Sequence, residues 1–116
     1  MPGAPYSTVE NIIRIVTGSP VAVADINTEI ATQNAAGYQF TSLEYIDSDT
    51  VAVMFSKMPS GYYYDLAQKL NLVTASQAAV DADIATEDAN NFLPTGIFIS
   101  DGGDLLVGYQ QTQDPP

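Results

Sequence analysis

The chain reads as an α+β fold: a mostly antiparallel sheet of about five strands with helices packed on it, in the order β-α-β-β-α-α-β-β. Three observations predict this. A β-branched run fills residues 9–16, Val23, Ile26 and Ile30 recur at helical spacing ahead of Gly37, and two turn sequences, Asp47-Ser48-Asp49 and Asp101-Gly102-Gly103-Asp104, each separate a pair of apolar segments.

Residues 1–8 hold two prolines among small polar residues and read as an extended arm. In the first strand Ile13 and Ile15 share one face, and Ile12, Arg14 and Val16 the other. Apolar residues on both faces predict a central position.

Ser19-Pro20 can begin the helix, with Asp25 a second candidate cap, and Gly37 supplies the left-handed residue that ends it. Val23, Ile26 and Ile30 form its buried stripe, whereas Asn27 and Gln33 lie away from it. Residues 38–46 form a strand whose alternation slips. Tyr38 and Phe40 share one face and Leu43 and Tyr45 the other, as a bulge near Thr41-Ser42 would produce. After the acidic turn, Val51, Val53 and Phe55 point one way and Ala52 and Met54 the other. Such two-sided apolar strands call for a second layer, from the rest of the chain or from another subunit.

Residues 62–70 read as a short helix with Tyr63, Leu66 and Leu70 inward, a strand through Tyr62-Tyr63-Tyr64 being the alternative. Thr74 and Gln77 match a capping box, and Val80 and Ile84 carry a helical stripe toward Asn90. Leu93-Pro94 ends that helix. Residues 96–100 and 105–111 then form the last hairpin, and residues 111–116, which end in two prolines, read as a second arm. One domain is expected over residues 1–116.

Composition excludes several functions. Neither cysteine nor histidine is present, so no thiolate metal site, disulfide or triad of the Ser-His or Cys-His type can form. Fourteen acidic residues against three basic ones, Arg14, Lys57 and Lys69, give a net charge of −11, which repels nucleic acid and anionic membrane. The opening residues lack the pattern of a signal peptide, and no apolar run approaches the roughly 20 residues of a membrane span. The location expected from these features is the cytoplasm.

The two acidic turns offer oxygens to a cation, but turn chemistry accounts for both, and no metal or cofactor is expected. Asp83 and Glu87, one turn apart, together with Asp81 and Asp88, read as a solvated helix face; a cation or partner site is the alternative. Tyr62, Tyr63 and Tyr64, with Met54, are the candidate interface residues, since tyrosines combine apolar area with a polar tip. No catalytic residues are assigned, and the chain is not read as an enzyme.

Across residues 12–57 the order of strand, helix ending in Ala35-Ala36-Gly37-Tyr38-Gln39-Phe40, second strand, acidic turn and Val51-Ala52-Val53-Met54-Phe55-Ser56-Lys57 resembles a family of small bacterial and phage βαββ domains of unknown function. That resemblance implies a βαββ order and nothing after Met58. Poverty in lysine, arginine and cysteine, with abundant alanine, threonine, asparagine and glutamine, is also similar to accessory proteins of phage particles. The expectation is a structural or interaction protein, homo-oligomeric or part of a larger assembly. An acidic DNA mimic, or a glycan- or small-ligand-binding module built on the tyrosines, is the alternative.

Overall fold

A computed structural model describes residues 10–57 and 67–112. The elements are β1 (Glu10–Thr17), α1 (Val23–Ala35), β2 (Gln39–Asp47), β3 (Thr50–Lys57), β4 (Gln68–Val73), α2 (Gln77–Ala89), β5 (Phe92–Ile99) and β6 (Leu105–Gln111). The class is α+β and every strand pairing is antiparallel, but six described strands form two three-stranded sheets, β1-β3-β2 and β4-β6-β5, rather than one sheet of about five.

Two differences from the sequence reading explain the split. Gln68 to Leu70, expected at the end of a helix, open strand β4, because the alternation Lys69-Leu70-Asn71-Leu72 has a period of two and feeds opposite faces. Residues 62–66 of that expected helix lie outside the described residues. Strand β1 is an edge, not a centre, and β3 takes the central place, with Val51, Val53 and Phe55 fully buried.

Helix α1 starts at Val23 with Ala22 as an uncapped N-cap, later than Ser19-Pro20. The amides of Gly18 and Val21 bond the Asp49 and Ser48 carbonyls at 3.1 and 2.9 Å, which ties this stretch to the β2–β3 turn and removes it from the helix. Asp25 sits in the first turn, where its charge suits the helix dipole without capping. The C-terminus is as expected. Gly37 has φ +94°, its amide bonds the Asn34 carbonyl, and the Tyr38 amide bonds Gln33, a Schellman end. In α2 the cap is Ser76 rather than Thr74: the Ser76 hydroxyl accepts from the Ala79 amide at 3.2 Å.

The bulge expected near Thr41-Ser42 is present between Phe40 and Ser42, and a second lies between Tyr45 and Asp47. Strand β5 begins at Phe92 and so takes in Leu93 and Pro94, with an irregularity between Pro94 and Gly96. At the end of the chain, Gln111 closes β6, and the Thr112 amide bonds the Asn91 carbonyl at 2.7 Å, so the tail expected from residue 111 keeps its first two residues on the sheet.

One core unites the sheets. Ile26 and Ile30 of α1 pack with Val51, Val53 and Phe55 of the first sheet and with Leu70 and Leu106 of the second. Phe40 meets Phe55 and Phe98 edge-on, at centroid distances of 6.2 and 5.5 Å, and so bridges them. Each fully buried aliphatic or aromatic side chain here contributes about 1.5–3 kcal/mol. A smaller cluster of Val73, Val107 and Tyr109 lies on the other face of the second sheet, against Ala79 and Val80 of α2.

Candidate functional site

The outer face of the first sheet is assembled by strand register. Ile13 faces Met54 and Ile15 faces Ala52 across β1–β3; Ser42 faces Met54 and Glu44 faces Ala52 across β3–β2. Because alternate residues point to opposite sides, burial of Val51, Val53 and Phe55 under α1 leaves these side chains on the side away from it. Ile13 is 62% exposed, Ile15 55% and Met54 40%, while Ile46, in the second bulge, is 62% exposed. Single exposed apolar residues are ordinary, but neighbours in one register form a patch.

Charge sharpens the contrast. Among the paired outer positions Asn11, Ile13, Ile15, Thr17, Gln39, Ser42, Glu44, Asp47, Thr50, Ala52, Met54 and Ser56, the two carboxylates, Glu44 and Asp47, both lie on β2, and the adjoining Ile13, Ile15, Ala52 and Met54 carry no charge. A solvated antiparallel face normally alternates to polar residues. Met54 of the expected interface therefore sits at the middle of this patch. Tyr62, Tyr63 and Tyr64 lie outside the described residues.

The acidic pair on α2 is not a solvated face. Glu87 is buried and Asp83 half-buried. The Tyr109 hydroxyl donates to Asp83 Oδ2 at 2.6 Å, and Asn71 Nδ2 donates to Glu87 Oε2 at 2.7 Å and to both Asp83 oxygens at 3.2 Å. Lys69 Nζ lies 2.7 Å from Glu87 Oε1 and 4.5 Å from the Phe92 ring centroid. The pair thus pins α2 to β4 and β6. Burial, then the hydrogen bond to Asp83, then the charges of Asp83 and Glu87 hold the Tyr109 hydroxyl well above its ordinary pKa. Asp81 and Asp88 stay exposed, so the four acids do not form the continuous surface that phosphate mimicry needs.

A groove of about 880 Å³ receives both acidic turns, with Asp49, Asp101 and Asp104 on its rim beside Tyr45 and Leu72. Their roles there are those of turns. Asp47 Oδ1 accepts from the Asp49 amide at 2.8 Å, and the Asp104 carbonyl accepts from Ser100 at 2.9 Å opposite Gly103, whose φ is +87°. Burial, with the charge of Asp101 second, raises the pKa of Tyr45. Among the described residues no group of three acidic, histidine or cysteine side chains could hold a metal ion.

In comparisons with known proteins, no family model, no curated protein and no solved structure matches this chain. The patch must be interpreted from its own physics. Among the described residues no helix is long and apolar enough to cross a membrane.

What sequence reading missed is the destination of three amides. Asn27 and Asn34 of α1 and Gln68 of β4 are engaged in the junction between the sheets: Asn27 bonds both backbone groups of Leu70, Asn34 bonds the Gln68 amide, and the Gln68 carboxamide bonds both backbone groups of Phe40. Asn27, expected away from the buried stripe, instead turns to β4 beside Ile26 and Ile30, and the one signal was its seven-residue spacing from Asn34, which puts both on one side of the helix.

Proposed function

We propose that the chain is a noncatalytic structural or interaction subunit acting through the outer face of its first sheet, centred on Ile13, Ile15, Ala52 and Met54. The observation that carries this reading is the patch itself: adjoining apolar side chains, with Ile13, Ile15 and Met54 exposed and no charge at its centre, the carboxylates Glu44 and Asp47 lying at its β2 border in a chain of net charge −11. Depletion of charge at the centre of a surface marks a protein contact more sharply than hydrophobicity alone. The acids that cluster most closely, Asp83 and Glu87, are occupied in holding α2 in place, which leaves the outer face as the strongest candidate.

The finer reading, an accessory subunit of a phage capsid or tail, is supported by composition: few basic residues, no cysteine, and an abundance of small and amide side chains. Its location would then be the virion, and its partners other copies or other proteins of the particle.

The test is site-specific photo-crosslinking from Met54 and from Ile46 in the cells or particles that contain the protein. Crosslinks from both positions to defined protein peptides are expected. Capture of no protein from either position would remove the reading.

A further inference from the structure

Among the described residues the two sheets present four strand edges, and three of them are guarded. The Gln68 carboxamide closes β2 at Phe40, and Asn27 and Asn34 close β4 at Leu70 and Gln68. Strand β5 is interrupted by Pro94, which has no amide to donate, and by the irregularity between Pro94 and Gly96. Among the described residues strand β1 has no such device. Its eight residues run in unbroken register with β3, contain neither proline nor glycine, and have no described strand on their other side. An edge of this kind is a template for another strand.

We propose that β1 pairs antiparallel with β1 of a second copy, across a two-fold axis through Ile12, joining two three-stranded sheets into one continuous sheet. The inference rests on the interaction-subunit reading and names its partner. Charge selects that partner and the register. Centred on Ile12, self-pairing sets Glu10 of each copy opposite Arg14 of the other, and Asn11 opposite Ile13. Centred on Ile13 it would set Arg14 against Ile12, and centred on Arg14 it would bring two guanidinium groups together. Arg14 is one of three basic residues in the chain, and its side chain remains 56% exposed although Glu29 lies 3.8 Å away. It can therefore serve a second carboxylate. The same register places Ile13 of one copy diagonal to Ile13 of the other, so the two outer apolar faces run together across the seam.

The experiment is sedimentation velocity of the full chain over a wide concentration range, with E10R, R14E, their equimolar mixture and the double variant E10R/R14E. Each single variant should weaken self-association about tenfold, since two cross-strand attractions become repulsions. The mixture and the double variant should both restore it, because opposite charges again face each other. Register is read independently by cysteine pairing, as the native chain has no cysteine. N11C mixed with I13C should give the mixed disulfide faster than either variant crosslinks to itself. A monomer at every concentration, self-association indifferent to the charge exchanges, or dominant self-crosslinking of I13C would each overturn the proposal. Crosslinks from Met54 and Ile46 to other proteins, with a monomeric free chain, would overturn it while leaving the interaction reading intact.

Discussion

The side chain of Asn27 treats Leu70 as a neighbouring strand would: its Nδ2 donates to the Leu70 carbonyl at 2.9 Å, and its Oδ1 accepts from the Leu70 amide at 2.7 Å. Leu70 is buried, so both backbone groups lack easy access to water. Asn27→Ala should destabilise the fold by about 2 kcal/mol, measured by urea unfolding, because it leaves a donor and an acceptor unsatisfied. Asn27→Asp separates the two bonds. Its ionised carboxylate can accept from the amide but faces the Leu70 carbonyl oxygen, so the folded state favours the protonated acid and its pKa rises. The loss should be full at neutral pH, shrink as pH falls through the raised folded-state pKa, and reach its minimum by about pH 4, the unfolded-state value.

Gln68 carries the same logic to the other sheet. Its Oε1 accepts from the Phe40 amide at 2.6 Å and from Asn34 Nδ2 at 3.0 Å, while Nε2 donates to the Phe40 carbonyl at 3.0 Å. Gln68→Glu keeps the acceptor and loses the donor. Hydrogen exchange at the Phe40 amide should stay slow in Gln68→Glu and become fast in Gln68→Ala, although both variants lose stability. Equal exchange in the two would show that the amide is not protected by this side chain.

These amides explain which parts of the fold were legible. Strands β3 and β6, the C-terminal end of α1 and both hairpin turns follow from local chemistry: alternation, a positive-φ glycine and Asx geometry. Ile13, Ile15 and Met54 were also placed correctly relative to the faces of their strands. The division into two sheets was not legible, because it depends on contacts made 28 to 43 residues apart by side chains that look like ordinary surface amides. The inward turn of Asp83 and Glu87 was hidden for a similar reason. Periodicity alone does not reveal that Asn71, Lys69 and Tyr109 wait on the facing strands.

Lys69 and Glu87 form the most buried ion pair among the described residues, at 2.7 Å, with Glu87 nearly inaccessible and Lys69 a third exposed. Lys69→Met leaves that carboxylate without its counter-charge and should cost about 3 kcal/mol, the lower part of the range for breaking a buried pair, since water still reaches the lysine side. Adding Glu87→Gln should recover most of the loss, because a neutral amide still accepts from Asn71 and needs no cation. Thermal unfolding of the three variants checks the order. A double variant no better than Lys69→Met would show that packing over Phe92, not charge, is what the lysine supplies.

Tyr109 links this cluster to alkaline stability. Its hydroxyl pKa is raised in the folded state above the ordinary value of 10.0, by burial first and by Asp83 next. A raised pKa means that the folded protein holds the proton more tightly than the unfolded chain does. The contribution is therefore complete below pH of about 10 and is lost progressively as pH rises beyond it. The wild-type urea midpoint should fall between pH 9 and pH 11 more steeply than that of Tyr109→Phe, which itself should cost about 1 kcal/mol at neutral pH. Parallel slopes would place the alkaline transition elsewhere.

Adjacent residues of β3 provide the sharpest separation of fold from function. Val53 is fully buried beneath α1, whereas Met54 is 40% exposed on the opposite face. Val53→Asp places a charge in the core and should cost several kcal/mol, enough to unfold most of the population. Met54→Asp places the same charge among Ile13, Ser42 and solvent, so the stability of the isolated chain should change by no more than about 0.5 kcal/mol. Protein crosslinks from Ile46 should nevertheless disappear in Met54→Asp, because the charge must be desolvated when another protein covers the patch. If those crosslinks persist unchanged while the fold remains intact, the apolar outer face is not where this protein meets its partners.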